Sequence, residues 1–550
     1  MSLSSQLRSV WFWLSVALVV ILAVFLLYPL INVLASSFSG VRADGRNGWQ
    51  VLLSEPKYLR AVGNTILLGL AVTFTCTLIG VPLAYIAARH TFPGKALIAI
   101  LPLTTLIVPE VIAAQTWLMM VGNNGLLTRT LSAWGIGLPS FYGWFGLITV
   151  MTFIYYTYIY IGTLAAIRAF DSQLEEAARS LGTSPALSRL KVMVPVVLPA
   201  ILASSLLVFT LVVGNFAVAT ILGHKVELLS VITYQTFVSE VGADPVMQST
   251  LASVSIGIVA LVLFIQRLIL ARGRFEITQG RGARPEPLRG LASLGLTCAA
   301  GLVIVISLLP LVSVVAGAFT RARGPVMRWG EWTTANLERV LLNAPDPIIN
   351  TLVYASIATI TSILFATAVS YLVVKKRTIL TPAIDYLTAL PLALSGTVIG
   401  IGLVISFNTG WLPLTGTAAI IVLAYVIRRL PFGIRNASST LYNVPNSIEE
   451  ASVSLGVAPM RSFVNVVLPL MLPSIAAAAV LVWTTTVAEL SASVVVYSGG
   501  RETLPIQIFR LIDSGLMAQA SAYGLVLVAA ILIPIVVATS VFKLDIFGSR

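Results

Sequence analysis

The chain has 550 residues, of which 57% are hydrophobic and 10% are charged, and its mean hydropathy is +0.96. That apolar share excludes a soluble globular domain. The formal net charge of +13 lies in short segments between apolar runs, without a long basic run interleaved with aromatic residues, so it indicates membrane orientation and argues against nucleic-acid binding.

The apolar runs are long enough to cross the hydrocarbon core of a bilayer as helices. Lipid leaves bare backbone groups unsatisfied, so a spanning segment is a helix or a barrel strand, and runs such as "LSVALVVILAVFLLYPLINVLA" lack the alternation of a barrel strand. We predict an all-α polytopic membrane protein with about twelve transmembrane helices. Their centres fall near residues 22, 75, 108, 155, 207 and 260 in the first half and near 305, 362, 393, 425, 482 and 532 in the second.

Two features set the predicted domain organisation. The first apolar run, from about Val10 to Ala35, is too long for a signal-peptide core, so we predict a retained first helix. The Arg-, Gly- and Pro-rich stretch "ARGRFEITQGRGARPEPLRG" predicts a solvated linker over residues 272–289. It divides the chain into halves 1–271 and 290–550, with membrane cores at about 60–268 and 347–543. With Arg8 in the cytoplasm, an even number of crossings places the linker and both termini there too.

An internal repeat lies in the loop before the fifth predicted helix of each half. Residues 174–182 read "LEEAARSLG" and residues 448–456 read "IEEASVSLG", an offset of 274. The matched positions are Glu175, Glu176, Ala177, Ala178, Gly182 and Pro185 in the first copy and Glu449, Glu450, Ala451, Ser452, Gly456 and Pro459 in the second. An even number of spans per repeat predicts two parallel six-helix repeats around a pseudo-two-fold axis along the membrane normal.

Each copy of the repeat predicts a helix–turn–helix bracket on the cytoplasmic side. Good helix formers with an acidic first turn begin the first helix, and Gly182 ends it with a positive φ. Ser184 is the expected N-cap of the second helix, with Pro185 at its first position. The alternative is a pair of acidic loops that only solvate the surface.

The pattern E-A-A-x-x-x-G, followed after about a dozen residues by Val-Pro or Leu-Pro, resembles the cytoplasmic loop of ABC importer permeases of the type I fold. In the second copy Ser452 replaces the second alanine. The resemblance covers nearly the whole chain. It implies that each loop carries a coupling helix, which docks into a groove of an ATP-hydrolysing subunit.

The motor itself is expected in partner subunits. The sequence has no G-x-x-x-x-G-K-[ST] phosphate loop, so we expect this chain to bind no ATP and no other cofactor and to be no enzyme. It has no catalytic constellation and no metal-ligand cluster either. The resemblance implies two ATP-binding cassette subunits at the cytoplasmic face, a periplasmic or surface-anchored substrate-binding protein and a place in the bacterial inner membrane.

Polar residues at membrane depth are candidates for the translocation path, because burial in lipid is costly. Glu110 follows Pro109 in the third predicted span, where it either lines the path or lies near an interface. Glu489 and Asn215 are equivalent at the offset of 274, so both halves place a polar side chain at one depth of the fifth helix. Each either lines the path or hydrogen-bonds a neighbouring helix.

The charges near the axis carry two further expectations. A lone carboxylate at position 489 would favour a cationic or metal-bearing substrate. Arg428 and Arg429, which have no charged counterparts at Ile154 and Tyr155, are expected to reach the cytoplasmic interface.

The predicted function is therefore the permease of an ATP-driven importer. The fused halves, with "RRLPFGIRNASSTL" and "ELSASVVVYSGG", resemble permeases of the ferric-iron group, and relatives for 2-aminoethylphosphonate, thiamine or polyamines are the substrate alternatives. The alternative class is an ion-coupled secondary transporter with two six-helix halves, which could use Glu110 and Glu489 for coupling. That class has a charged signature loop between its second and third helices, where this chain has "RHTFPGKA". A membrane enzyme is the third possibility, and no constellation of residues supports it.

Overall fold

The computed structural model describes residues 9–95, 108–238, 244–272, 285–288 and 290–540. Within these ranges nine helices are long and apolar enough to cross a membrane, and a bent pair adds a tenth. The chain is an all-α polytopic membrane protein, as predicted. Most of the predicted linker 272–289, together with Arg8, lies outside the described residues.

The first half begins with a long membrane helix and continues with long helices joined by short ones. Its helices are α1 (Val10–Ser39), α2 (Gly48–Ser54), α3 (Pro56–Arg89), α4 (Glu110–Val121), α5 (Leu126–Ala133), α6 (Trp144–Ala169), α7 (Ser172–Ser180), α8 (Pro185–Val213), α9 (Ala217–Leu222), α10 (Leu229–Val238) and α11 (Pro245–Arg272).

The second half follows the same order. Its helices are α12 (Gly290–Ala318), α13 (Ala335–Glu338, extended by a π-helical turn over Arg339–Asn343), α14 (Asp346–Val374), α15 (Thr381–Ala389, extended by a 3-10 turn over Leu390–Ala393), α16 (Gly396–Phe407), α17 (Ala418–Asn443), α18 (Asn446–Ser454), α19 (Pro459–Val487), α20 (Ser493–Val496), α21 (Leu504–Asp513) and α22 (Met517–Ser540).

Two small sheets lie outside the bundle. Strands β1 (His90–Thr91) and β2 (Glu286–Pro287) pair in parallel and join the loop after α3 to the segment before α12. Strands β3 (Thr320–Arg323) and β4 (Val326–Trp332) form an antiparallel hairpin between α12 and α13.

The long helices pack through one buried stripe each. In α3 the buried positions include Ala61, Leu68, Val72 and Cys76, at the spacing of a single helical face. This face lies against α6, and a Cβ at Gly80 would lie 2.9 Å from the carbonyl oxygen of Tyr156. Glycine therefore allows the two backbones to approach closely, as small residues do in membrane helix pairs.

The two halves repeat the same tertiary hydrogen bonds. In the first half the Thr65 hydroxyl accepts from the backbone amide of Leu229 at 2.9 Å. In the second half Thr351 accepts from Leu504 at 2.7 Å. The preceding asparagines, Asn64 and Asn350, donate to the carbonyls of Glu227 and Glu502. The two Asn–Thr pairs thus hold α10 and α21 in equivalent places, in agreement with the duplication predicted from the repeated loops.

Each half's first helix packs against the other half. In α1, Asn32 donates to the hydroxyl of Ser406 in α16 at 2.8 Å. In α12, Ser307 and Tyr156 of α6 form a hydrogen bond of 3.0 Å. The sequence-based halves are therefore exchanged at their first helices, which ties them together through the membrane.

Two of the predicted spans are not simple helices. The centre predicted near 393 falls on a break, where Thr381–Leu392 and Gly396–Phe407 meet at 113°. The segment predicted near 108 lies partly outside the described residues, and α4 begins only at Glu110, after Pro109. A proline before the first helical residue disfavours helix on its N-terminal side.

Candidate functional site: two repeated loops and a polar centre

The first repeated loop folds as the predicted bracket. Helix α7 ends in a Schellman motif, in which the amides of Gly182 and Thr183 donate to the carbonyls of Arg179 and Ala178. Gly182 has φ +87°. Ser184 then caps α8 by accepting from the amide of Leu187 at 3.4 Å, with Pro185 at the first position.

The second loop has the same geometry. Helix α18 ends at Ser454, and the amides of Gly456 and Val457 donate to the carbonyls of Val453 and Ser452. Gly456 has φ +84°, and Pro459 begins α19. The N-cap position is Ala458, whose side chain cannot accept a hydrogen bond, so this turn lacks the cap that Ser184 provides.

The two adjacent glutamates of each loop have different environments. The first one is buried: Glu175 pairs with Arg89 at the end of α3 at 2.6 Å, and Glu449 pairs with Lys376 at 2.7 Å. The phenol of Tyr371, near the end of α14, also donates to Glu449 at 2.6 Å. These first glutamates hold the loops against the membrane helices.

The second glutamates point into solution. Glu176 and Glu450 are exposed, and so are Ala177 and Ala451, while Ala178 and Ser452 are half-buried. Leu181 and Leu455, just before the glycines, are 86% and 85% exposed. Each bracket therefore presents an acidic and apolar outer surface that nothing in the described chain covers.

In the second half, the polar residue predicted at membrane depth lies in an ion-paired cluster. Glu489 lies in the turn between α19 and α20, where its carboxylate accepts from the amide of Ala492 at 3.1 Å. The same carboxylate pairs with Arg428 at 2.8 Å and Arg429 at 2.6 Å, both from α17. Gly396 lies under Arg428, since a Cβ there would lie 2.1 Å from Nη1.

In the first half the equivalent centre is neutral at its core. Asn215 lies in the turn between α8 and α9, and its carbonyl oxygen accepts from the amide of Val218 at 2.9 Å. Its amide group donates to the phenol oxygen of Tyr155 at 2.7 Å, and that phenol donates to Glu110 at 2.5 Å. Glu110 begins α4, so its carboxylate lies at the positive end of a helix.

The two polar centres meet across the boundary between the halves. A Cβ at Gly214 would lie 3.3 Å from the Cβ of Ser395, and Glu110 interacts electrostatically with Arg428 and Glu489. We call these residues together the polar centre: Glu110, Tyr155, Asn215, Arg428, Arg429 and Glu489.

Three expectations about these residues need correction. Asn215 and Glu489 lie just past the fifth helix of each half and not within it, and each accepts a hydrogen bond from a backbone amide at the start of the short helix that follows. Arg429 is buried and Arg428 half-buried, so neither reaches the cytoplasmic interface. Glu489 is not a lone carboxylate, because two guanidinium groups neutralise it.

The sequence reasoning missed Tyr155 and the role of Arg429. The signal was present, since these two residues are themselves equivalent at the offset of 274. Each donates to or accepts from the polar residue at position 215 or 489 of its own half. The contact thus occupies the same position in both halves but differs in chemistry. It is a neutral amide–phenol pair in the first half and a carboxylate–guanidinium pair in the second.

The protein family described as "Binding-protein-dependent transport system inner membrane component" matches residues 80–274 and 347–544 of this chain. The chain therefore belongs to the inner-membrane components of binding-protein-dependent transport systems, and it is a multi-pass ABC transporter permease with two copies of the family domain. This membership favours neither the secondary transporter nor the membrane enzyme.

Two of the relatives described here match nearly the whole chain, and a third matches about a quarter of it. The probable ABC transporter permease protein y4fN of Sinorhizobium fredii is 28% identical over 97% of this chain and 96% of its own length. The ferric transport system permease protein FbpB of Actinobacillus pleuropneumoniae is 24% identical over 94% of this chain and 76% of its own. A putative 2-aminoethylphosphonate permease protein PhnV of Salmonella paratyphi A is 35% identical over 26% of this chain and 54% of its own.

Proposed function

We propose that this permease works in an ATP-driven importer, in which two ATP-binding cassette subunits dock on the two brackets and a binding protein delivers substrate to the opposite face. The observation that carries the proposal is the pair of matched brackets, each anchored by a buried glutamate and exposing Glu176 and Leu181, or Glu450 and Leu455. ATP is then bound and hydrolysed in the partner subunits. The permease binds no cofactor.

Both termini are proposed to lie on the side of the brackets, in the cytoplasm. Near its start, α1 packs Trp11 against Tyr371, with ring centroids 5.0 Å apart, and Tyr371 contacts Glu449 of the second bracket. This contact supports placing the start of α1 and the second bracket on one side of the membrane.

The anchoring glutamates would connect each bracket mechanically to a membrane helix. Closure of the cassette subunits would move the brackets, and the ion pairs Arg89–Glu175 and Lys376–Glu449 would pass that movement to α3 and α14. These helices extend through the membrane to the opposite face. Movement of the brackets would thus rock the two halves between outward- and inward-open states.

The polar centre is proposed as the gate of the path. It combines two carboxylates with two guanidinium groups at the boundary of the halves, and Nη1 of Arg428 and Nε of Arg429 are buried without an acceptor among the described residues. Buried donors without partners are costly, so a change of state that supplies acceptors would be favoured. Rearrangement of these pairs could therefore accompany opening.

Ferric iron is the proposed substrate. Its support is the near full-length similarity to permeases named for ferric transport. The 35% identity to a 2-aminoethylphosphonate permease over 144 residues favours that compound as the second candidate. The described residues hold no group of three or more His, Cys, Asp or Glu side chains that could bind a metal ion, so the ion would be held by the binding protein until release.

The test is uptake by the reconstituted complex. Proteoliposomes with the permease, its cassette subunits and the binding protein should accumulate radioactive iron only when ATP is enclosed, and uptake should survive collapse of the proton gradient. A parallel series with labelled 2-aminoethylphosphonate separates the two substrates. Uptake by the permease alone, driven by a pH gradient, would overturn the proposal.

A further inference from the structure

On the face opposite the brackets, the second half carries a basic cavity. Helix α14 reaches Glu449 at one end, so its other end and the β3–β4 hairpin that precedes it lie on the opposite, external face. A cavity of about 460 Å³ lies between this hairpin, α13 and the start of α22. The cavity is lined by four arginines and one glutamate, namely Arg321, Arg323, Arg328, Arg339 and Glu331, so it has an excess of three positive charges.

The hairpin directs its arginines away from the membrane bundle. Ala322 and Met327 are cross-strand partners, and they pack in one apolar cluster with Ala518 at the start of α22. Side chains alternate between the two faces of a strand, so Arg321 and Arg323 lie on the face opposite to Ala322. The apolar face rests on the bundle and the basic face looks outward.

Most of these charges lack an ionic partner among the described residues. Arg328 pairs with Glu331 at 3.1 Å, and Arg321, Arg323 and Arg339 form no ion pair with any described residue. Arg321 and Arg328 are also direct cross-strand partners. Like charges directly opposite in a hairpin are destabilising, so this surface favours a neutralising anionic group.

Three external arginines of the first half are ion-paired, whereas Arg129 in α5 forms no ion pair with a described residue. Arg42 pairs with Asp44 at 3.0 Å and with Asp244 at 2.5 Å. Arg46 pairs with Asp44 at 2.8 Å, and Arg60 pairs with Glu227 at 2.7 Å. The hydrogen bond from Arg60 lowers the pKa of Glu227, so this carboxylate stays ionised at neutral pH. Three unpaired arginines are therefore clustered at the hairpin of the second half, whereas Arg42, Arg46 and Arg60 of the first half are paired.

We propose that the basic cavity at the β3–β4 hairpin is the docking site for an acidic surface on one lobe of the binding protein, and that it fixes which lobe sits on which half. Binding proteins of this kind close two lobes around their ligand, and a pseudo-two-fold permease would otherwise accept them in two orientations. Carboxylates match the guanidinium groups in charge and geometry. The outward direction of the basic face favours a soluble protein over a lipid headgroup. This inference rests on the proposed function, because it requires a binding protein at this face.

The experiment measures binding-protein affinity for the whole importer in nanodiscs, using the binding protein that supports uptake by the wild type. In the double variant Arg321→Glu/Arg323→Glu, Kd should rise by at least about tenfold at low salt, and the difference should shrink to less than about threefold at 0.5 M salt. Lys57→Glu is the matched control, an exposed external cation of the first half, and it should change Kd by less than about twofold.

Orientation is tested with a photo-crosslinker placed at position 339. In the wild-type background it should label one lobe of the binding protein, and acidic-to-lysine changes on that lobe should restore binding to the double variant. If the charge-reversed variant Arg321→Glu/Arg323→Glu has a lowered melting temperature, the milder double variant Arg321→Gln/Arg323→Gln is used in its place.

The outcomes separate the two proposals. If no binding protein supports uptake by the wild type, the proposed function fails. If the wild type is active and all variants bind as it does, or both lobes are labelled equally, only the docking inference fails. Unchanged affinity together with loss of a co-purified anionic lipid would assign the cavity to a lipid headgroup and overturn the docking inference.

Discussion

At the scale of single residues, the polar centre shows how one backbone position can serve two kinds of contact. Asn215 and Glu489 both accept a hydrogen bond, with one side-chain oxygen atom, from a backbone amide at the start of a short helix. The other polar atom of each side chain contacts a residue of another long helix. Asn215 contacts Tyr155 of α6, and Glu489 contacts Arg429 of α17. Because Glu489 and Arg429 are both buried, removing one of them leaves the other charge without a partner, which is far costlier than a lost surface pair.

The variant Glu489→Gln should therefore lower both stability and transport. We expect a loss of about 3–5 kcal/mol in the free energy of unfolding, because Arg429 stays charged in the interior. Part of that loss should return in Glu489→Gln/Arg429→Gln, measured by thermal unfolding in the same detergent. Uptake per folded molecule, measured on the same samples, separates a gate from a purely structural contact. Full uptake by the single variant would remove Glu489 from the gate.

At the scale of elements, each bracket divides its work between two neighbouring glutamates. The buried first glutamate fixes the bracket to the end of a membrane helix, and the exposed second one is free to meet a partner. The sequence shows both as equal members of one acidic pair, and only the packing distinguishes them.

Glu175→Gln and Glu176→Gln form a matched pair that tests this division. Glu175→Gln leaves the half-buried Arg89 without its carboxylate, so hydrogen exchange of α7 should rise and ATPase stimulation should fall with it. Glu176→Gln should leave hydrogen exchange unchanged and weaken only the binding of the cassette subunit. Equal exchange in both variants would contradict the anchoring role.

The turn of the second bracket gives another prediction. No atom lies within 4 Å of a Cβ at Gly456, so a larger residue meets backbone strain and not a clash. Gly456→Val should cost about 1–2 kcal/mol in that turn, since a β-branched residue rarely adopts positive φ. We expect the variant to insert normally and to lose its cassette subunit in co-purification. Gly456→Asn, which tolerates this conformation better, should retain it, and co-purification of the valine variant with full ATPase stimulation would refute the coupling role.

How much the sequence could predict depended on the range of the interaction. The brackets were predictable because Gly182, Ser184 and Pro185 act within one turn of the chain and the pattern occurs twice. The prediction for Arg428 and Arg429 was wrong because a charged position near the end of a span usually indicates an interface. Their partner Glu489 is distant in sequence, 60 residues from Arg429, so no local pattern reveals the ion pair. No local signal marks the exchange of the first helices, which depends on contacts between α1 and α16.

At the scale of the whole molecule, the exchanged first helices make each half depend on the other. Helix α1 covers the second half and α12 covers the first, through contacts such as Asn32–Ser406 and Ser307–Tyr156. A half expressed alone would expose the surface that its partner's first helix covers. Stability of the bundle is therefore a property of the complete pair.

Cutting the chain within residues 272–289 tests this dependence. Two co-expressed fragments should assemble, because the contacts between the halves do not need a continuous chain, and a tag on one fragment should purify the other. Each fragment expressed alone should be degraded or aggregate. A stable, monodisperse first half would show that the exchange contributes little.

The unequal polar centre also bears on why the two copies share one polypeptide. In a symmetric dimer built from the second copy alone, every substitution would appear twice, and the axis would hold two carboxylates and four guanidinium groups. Built from the first copy alone, it would hold carboxylates without any guanidinium. Fusion removes that constraint, because a position in one copy can mutate without its twin. The halves were thereby free to become complementary, with Glu110 of one half interacting electrostatically with Arg428 of the other.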